Sequence, residues 1–176
     1  MTSTEIGLAV AGVLLVCWMV GAYNRMVSLR NVLAERFAAI DALCRSRHAL
    51  IERQVELLAT ALAGGARPRL DALHAASRQA DAARAHAQAR PAVASAVTSL
   101  RVAEEILADA RARLPVQTMA GDELPEINAK LASDDATLDF ARREFNAAVG
   151  HYNDAVRQFP TLLVARLFGF RAGATL

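Results

Sequence analysis

A long uncharged run near the N-terminus constrains this chain more than any other feature. No charged residue occurs between Glu5 and Arg25, and residues 6–22 are almost all apolar. A helix that rises ~1.5 Å per residue carries such a run across most of a ~30 Å hydrocarbon core. Trp18 and Tyr23 lie toward its C-terminal end, where aromatic side chains favour the membrane interface. The run therefore predicts a single-pass transmembrane anchor.

The residues around the run do not fit a cleaved leader. A signal peptide begins with positive charge, whereas the residues up to Glu5 carry no Lys or Arg. A lipoprotein signal needs a small residue before its cysteine, but Val16 precedes Cys17. We therefore expect the anchor to be retained. Arginines follow the run, so the positive-inside bias favours an outside N-terminus and a cytoplasmic domain.

The composition favours a helical protein and argues against nucleic-acid binding. Hydrophobic residues make up 54% of the 176 residues and aromatic residues only 5%, because Ala, Leu and Val dominate. The formal net charge is +2, Lys130 is the single lysine, and the arginines are interspersed with acids rather than clustered. Cys17 lies in the predicted anchor and Cys44 on a predicted helix face, so we expect no disulfide.

Glycine and proline divide the rest of the chain into four helical segments. Apolar residues recur within them at steps of three and four, which is typical of helices that bury one face in a bundle. We therefore expect an all-α chain with an anchor over 1–23, an antiparallel helical bundle over 24–160 and a short apolar tail over 161–176. The expected helices run from the anchor to about residue 63, from Pro68 to Arg90, from Pro91 to residues 114–115, and from about Asp122, with Pro125 in the first turn, to residues 159–160.

Four asparagines suggest how the first and last helices pair. The pattern aromatic-Asn-x-x-Val occurs three times, and each of the two helices carries two asparagines seven residues apart, nearly on one face. Antiparallel pairing would set Asn24 opposite Asn153. The same register sets Asn31 opposite Asn146, and buried amide pairs would fix that register because each amide needs a partner. The alternative is that Asn24 and Asn31 are solvated beside the apolar stripe.

This register also brings the apolar tail to the bilayer surface, because it places Phe159 level with Trp18. The apolar side chains would then enter the acyl boundary while Arg166 and Arg171 meet lipid phosphates. The alternative is that the tail caps the open end of the bundle. The candidate membrane-interface residues are Trp18, Tyr23, Leu162, Leu163, Arg166, Leu167, Phe168 and Phe170.

The sequence does not indicate catalysis, a metal or another cofactor. It contains no Ser-His-acid nucleophile motif and no glycine-rich phosphate loop. His48 and Glu52 are four apart, a spacing that suits a metal ion, but the other histidines offer no second ligand pair. We therefore expect neither a catalytic residue nor a metal site.

The remaining charged groups are interpreted as surface features. Arg45, Arg47 and His48 are candidate contacts for an anion or an acidic segment of a partner, with an ordinary solvated face as the alternative. The adjacent acids at 104–105 and 134–135 point apart on a helix, which suggests solvation rather than acid–base chemistry.

Both ends of the chain resemble the LemA family. The C-terminal part matches in Ala141-Arg142-Arg143-Glu144-Phe145-Asn146, Ala148-Val149, Tyr152-Asn153, Phe159-Pro160 and Ala165-Arg166-Leu167-Phe168-Gly169-Phe170. The N-terminal part matches in Tyr23-Asn24, Val27, Leu29-Arg30-Asn31-Val32, Ile40-Asp41, Arg45, Arg47-His48 and Leu50-Ile51. The chain departs from the family at Ala49, where Asp is usual, and at Glu52-Arg53, where Pro-Asn is common. Without that proline, the first helix is expected to be straighter.

The resemblance implies a single-pass protein of the bacterial cell (inner) membrane with an antiparallel bundle and no catalytic residues. The anchor and the bundle favour an interaction or scaffolding module that has a protein partner or associates with further copies of itself. The alternative function is membrane remodelling by a tail that docks into lipid.

Overall fold

The computed structural model describes residues 2–61, 67–114 and 123–176. Within these ranges the chain is helical and contains no strand, which confirms the expected all-α class. The helices are α1 (Ser3–Ala61), α2 (Arg67–Ala89), α3 (Ala94–Ala112), α4 (Glu123–Arg157) and α5 (Thr161–Leu167).

Helix α1 is a single unbroken helix of 59 residues, which at ~1.5 Å per residue is roughly 90 Å long. Its first part is bare: residues 3–18 are exposed, and Ala22 is the first buried residue. Among the described helices, α1 is the one long and apolar enough to cross a membrane. Because an apolar surface of this length is unfavourable in water, the finding supports association with a membrane.

The bundle is assembled around the second part of α1. Helices α2 and α4 pack against α1, and α3 packs against α2. One apolar cluster, around Phe37, Phe145 and Tyr152, lies at the end where α1 enters the bundle, which we call the base. A second cluster, around Ile51 and Leu131, lies toward the far end. Each large buried side chain contributes about 1.5–3 kcal/mol, so these clusters hold the helices together.

The turn before α3 differs from the sequence-based expectation. Pro91 was expected in the first helical turn, but α3 begins three residues later at Ala94. The Val93 N–H donates to the Arg90 carbonyl at 3.0 Å, which closes a turn with Pro91 at its second position. Proline suits that position because its ring fixes φ near −65°. Pro125 does lie in the first turn of α4, whereas the expected start at Asp122 falls outside the described residues.

Helices α1 and α4 are antiparallel, but their register differs from the one predicted by the asparagines. Pairing Asn24 with Asn153 would set Phe37 opposite Phe140. The Phe37 ring instead meets Phe145 edge-on, with 5.7 Å between ring centroids, and Phe140 is exposed. The predicted register is therefore wrong by about one helical turn, since heptad spacing alone does not fix which turn of a partner helix is opposite.

The C-terminal residues fold back onto the base of the bundle. After α4 ends, α5 packs against both α4 and α1. Gly169 has a φ of 71°, a left-handed conformation that glycine adopts without steric cost. The Phe170 N–H donates to the Ala165 carbonyl at 2.8 Å, so this residue pair closes the C-terminus of α5 as a Schellman motif. Residues 170–176 then continue without regular structure.

Candidate functional site

A layer of charged side chains crosses the bundle between the apolar cluster at the base and the cluster around Ile51 and Leu131. Helices α1, α2, α3 and α4 all contribute to it. The buried charged members are Asp41, Arg47, His48, Arg84, Glu104 and Asp134. A buried charge is costly unless it is paired, so the pairing within this layer decides what the layer can do.

Glu104 of α3 lies at the centre of the layer. Arg47 Nη1 donates to its Oε2 atom at 2.6 Å, and His48 Nε2 lies 3.1 Å from its Oε1 atom. Burial alone would raise the pKa of Glu104, but the bonds to His48 and the charge of Arg47 outweigh it and lower that pKa to about 2. Glu104 is therefore a fixed anion and not a proton donor near neutral pH.

A second part of the layer joins α1 to α2. Arg84 bridges two carboxylates: its Nη1 donates to Asp41, and its Nε donates to Asp81 at 2.8 Å. The bond from Arg84 lowers the pKa of Asp81. His48 Nδ1 lies 3.4 Å from Asp81, so the two ring nitrogens of His48 face carboxylates on different helices.

The third part of the layer joins α1 to α4. Asp134 accepts a hydrogen bond from the Ser46 hydroxyl at 2.8 Å and another from Lys130 at 2.5 Å. Burial opposes its ionisation, but these two bonds outweigh burial and lower the pKa of Asp134. Arg47 Nε lies 2.7 Å from Asp135, although its N–H does not point at the carboxylate oxygen. That contact is therefore electrostatic rather than a hydrogen bond.

The structure corrects the surface interpretation of Arg47 and His48. Both are buried and paired inside the bundle, so neither is available to an anion or a partner. Only Arg45 of the three is exposed, and it lies 3.0 Å from Asp41. Side chains three residues apart share a helix face, and the steps from Asp41 through Cys44 to Arg47 place these polar groups on the apolar stripe. Polar residues at the spacing of the apolar face of α1 are the signal that sequence reasoning missed.

The adjacent acids are also only partly solvated. Glu105 is exposed, but Glu104 is buried; Asp135 is half-buried, but Asp134 is buried. Because neighbours on a helix point about 100° apart, one acid of each pair can face the interior while the other faces water. The expectation that both pairs are solvated is therefore wrong for one member of each.

The described residues contain no group of three His, Cys, Asp or Glu side chains that could hold a metal ion. Cys44 is buried, and burial raises the pKa of its thiol to about 12. A thiol that stays protonated is a poor nucleophile, so Cys44 is a packing residue. The charges of the layer neutralise one another, and the arrangement suits locking of four helices rather than acid–base chemistry.

Asn146 and Asn153 of α4 bind the chain's own C-terminal residues rather than α1. Asn153 donates to the Gly173 carbonyl at 3.1 Å and accepts from the Gly173 N–H at 2.8 Å. Asn146 makes the same two bonds with Leu176, both at 2.8 Å. Asn24 is exposed, so the predicted pairing of Asn24 with Asn153 is wrong. The amides do have partners, but the partners are backbone groups that spacing could not reveal.

Asn31 is likewise exposed, and Asn146 is occupied by Leu176, so the second predicted pair is also absent. The alternative interpretation of Asn24 and Asn31 as solvated residues agrees with their exposure. An asparagine that lies beside an apolar stripe has the same spacing as one that lies within it, so the sequence did not distinguish these cases.

The base of the bundle combines a capping face with an exposed apolar face. Phe168 packs against Tyr23 with 4.9 Å between ring centroids, and the buried Phe170 ring lies 4.9 Å from the Arg30 guanidinium carbon. Leu163 and Leu167, both on α5, are exposed. The tail therefore caps the bundle and at the same time presents apolar side chains beside the end of the candidate span.

The remaining candidate interface residues divide in the same way. Leu162 is half-buried, whereas Arg166 is exposed. Trp18 is exposed on α1, one turn before Ala22 enters the bundle. The structure thus brings Tyr23, Phe168 and Phe170 together, and leaves Trp18 on the bare part of α1.

A family model described as the LemA family matches residues 36–176. The chain belongs to the LemA family. The match spans the bundle and the tail, and it begins after the bare part of α1. A search of curated proteins finds no match. In this LemA chain, the buried charged layer, Asn146, Asn153 and the C-terminal residues that these two asparagines bind therefore all lie within the matched residues.

Residues 23–32, which also resemble the LemA family, lie outside the matched region. Ala49 and Glu52-Arg53, the departures noted from the sequence, lie inside it. Helix α1 runs unbroken through these positions, where no proline interrupts its hydrogen bonds.

Proposed function

We propose that this LemA-family chain is a membrane-anchored interaction or scaffolding module of the bacterial cell membrane and that it has no catalytic activity. The observation that carries the proposal is the continuity of α1, which joins a bare apolar segment to a bundle whose interior charges are paired. An unbroken helix transmits position without a hinge, so the bundle stands at a fixed height above the anchor.

The chemistry of the interior supports a binding role over a catalytic one. Glu104, the most central ionisable group, has a pKa near 2 and accepts bonds from two cationic or hydrogen-bonding partners. A general acid or base needs a pKa near the working pH and access to a substrate.

Site-specific photocrosslinking in native membranes tests the proposal. A photoreactive residue is placed at one exposed position on each of three helices: Arg78 on α2, Arg101 on α3 and Phe140 on α4. A scaffold with a protein partner should give one crosslinked protein from a single face, in stoichiometric yield. The matched control is the same residue at Leu163, at the base of the bundle, which should not capture that partner.

Crosslinks to lipid alone from every position would contradict the scaffolding role. Crosslinks only between copies of this chain would replace a separate partner with self-assembly. Both results would shift the function toward assembly on the membrane itself.

A second candidate function, membrane remodelling, is favoured by the exposed apolar face of the tail. Phe159, Leu163 and Leu167 are 74%, 56% and 70% exposed and follow one another at helical spacing. From residue 155 onward the chain carries three arginines and no acid. An apolar ridge flanked by cations suits an interfacial helix on anionic lipid.

Liposome flotation tests this second function. Residues 24–176 should float with anionic liposomes, and the triple substitution of Phe159, Leu163 and Leu167 by Ser should reduce the floating fraction severalfold. The matched control substitutes Val102 and Ile106 by Ser, because these side chains are exposed and apolar but lie on α3. Equal flotation of both variants would show that Phe159, Leu163 and Leu167 do not bind the lipid.

A further inference from the structure

The C-terminal residues occupy a groove beside α4. Helices α3 and α4 do not pack backbone against backbone in the described part of the chain, which leaves room between them. We define the tail groove by Asn146, Val149 and Asn153 of α4 and by Ala92 of the turn before α3. A Cβ atom built on Gly173 would lie 3.7 Å from Val149 Cγ1 and 3.8 Å from the Ala92 carbonyl oxygen, so the segment is seated in ordinary contact.

The spacing of the two asparagines matches the spacing of the residues they bind. Asn146 and Asn153 are seven residues apart on α4, which is roughly 10 Å along a helix axis. Gly173 and Leu176 are three residues apart, and an extended chain covers roughly 10 Å in three residues. The spacing of the two amides therefore matches that of an extended peptide that runs antiparallel to α4.

The recognition is directed at the backbone. Each asparagine donates to the carbonyl and accepts from the N–H of one residue, which satisfies both groups of that residue. No described salt bridge involves residues 170–176. Phe170 is buried, and Ala174 and Leu176 pack against the core cluster at the base. None of these contacts requires the peptide to come from the same molecule.

We propose that the tail groove also takes residues 170–176 of a second copy of this chain, so that two copies exchange their C-terminal segments. The groove already fits this segment, and every copy carries it. The segment follows directly after Gly169, the residue with a φ of 71° that ends α5. Exchange of an identical element is a low-cost route to a dimer, because each groove keeps the same contacts.

Membrane anchoring favours the exchange. Copies held in one bilayer share an orientation and present their grooves at the same height, which raises the effective concentration of one copy's segment at another's groove. The inference thus adds self-association to the proposed anchored module and rests on that proposal only for this concentration effect.

A two-chain crosslinking experiment tests the exchange in the full chain, in its own membranes. One copy carries Gly173→Cys and the other carries Val149→Cys, with tags of different length. Cys17 is replaced by Ala in both, while Cys44 stays because it is buried. After treatment with a short bifunctional methanethiosulfonate, exchange gives a heterodimer whose yield exceeds the collision background at least about fivefold.

Three matched variants make the result decisive. A single copy with both cysteines reports whether the segment occupies the groove at all. Ala147→Cys, which is exposed on the opposite side of α4, replaces Val149→Cys to give the collision background. Leu176→Pro in the copy that carries Gly173→Cys removes the N–H that donates to Asn146, and should lower the heterodimer yield about fivefold.

Each alternative outcome overturns the exchange. An internal crosslink without heterodimer above background means that the segment stays in its own groove. The absence of both the internal crosslink and the heterodimer means that the segment does not occupy any groove. A heterodimer that is insensitive to Leu176→Pro means collision rather than groove binding. A chain that pellets with membranes and gives no heterodimer refutes the exchange and leaves the anchoring proposal intact.

Discussion

At the scale of single residues, the buried layer depends on Glu104 because two side chains of α1 contact its carboxylate. Arg47 donates to one oxygen and His48 faces the other, while Arg142 lies 3.8 Å away on α4. Removing one member of a buried pair leaves an uncompensated charge, which costs more than the pair itself contributes. Glu104 should therefore tolerate substitution far less than its exposed neighbour Glu105.

Glu104→Gln is expected to destabilise the bundle by about 3–5 kcal/mol, because it removes the carboxylate to which buried Arg47 donates and leaves Arg47 only its contact with Asp135. The matched control Glu105→Gln changes an exposed carboxylate and should stay within about 0.5 kcal/mol of the parent. Both are measured as the free energy of unfolding of the chain in detergent micelles. Equal effects of the two substitutions would show that the buried pairs do not stabilise the fold.

The same carboxylate predicts a loss of stability in acid. The folded pKa of Glu104 is about 2 and its ordinary value is 4.5, so ionised Glu104 favours the folded state. Its contribution, roughly 3 kcal/mol, is complete above pH 4.5 and is lost as the pH falls from there to about 2. The lowered pKa values of Asp81 and Asp134 act in the same direction.

Melting temperatures measured between pH 7 and pH 2 test this loss of stability in acid. Glu104→Gln should remove most of the fall in melting temperature below pH 4.5, whereas Glu105→Gln should leave that fall unchanged. An unchanged fall in the Glu104 variant would assign the acid sensitivity to other carboxylates.

At the scale of elements, the sequence predicted α1 to α4 well and their contacts poorly, and it predicted an apolar tail where the structure has the short helix α5. The helix that ends before Gly64 and the one that carries Pro125 in its first turn were found where punctuation placed them. Pro91 was misplaced because a turn and a helix start accept proline equally well. The charged layer and the asparagine bonds were missed because their partners lie far apart in sequence, where periodicity carries no information.

The end of α5 offers a test at this scale. Gly169→Ala places a Cβ atom at a φ of 71°, which costs about 1–2 kcal/mol and should loosen residues 170–176. Hydrogen exchange of the Gly173 and Leu176 amides, which donate to Asn153 and Asn146, should accelerate about tenfold.

Gly150→Ala is the matched control for that substitution. Gly150 lies inside α4 with open space around it, so alanine should stabilise the helix by roughly 0.5–1 kcal/mol. Faster exchange of the tail amides in the Gly150 variant as well would show that the effect does not arise from the left-handed residue.

At the scale of the whole molecule, the structure sharpens the argument about orientation. The positive-inside rule concerns cations near the end of a span, and Arg25, Arg30, Arg36 and Arg45 remain exposed along α1. Arg47 does not contribute in the same way because its charge is compensated inside the bundle. The exposed arginines still all follow the apolar run, so the expected orientation keeps the bundle in the cytoplasm.

Thiol labelling in intact cells should reveal that orientation. In a background with Cys17→Ala, a cysteine at Thr2 should react with a membrane-impermeant maleimide before lysis, whereas a cysteine at Thr175 should react only after lysis. Both positions are exposed, so burial does not account for a difference between them. Labelling of Thr175→Cys in intact cells would place the bundle outside. The exposed arginines of α1 would then serve the solvation of a long helix rather than its topology.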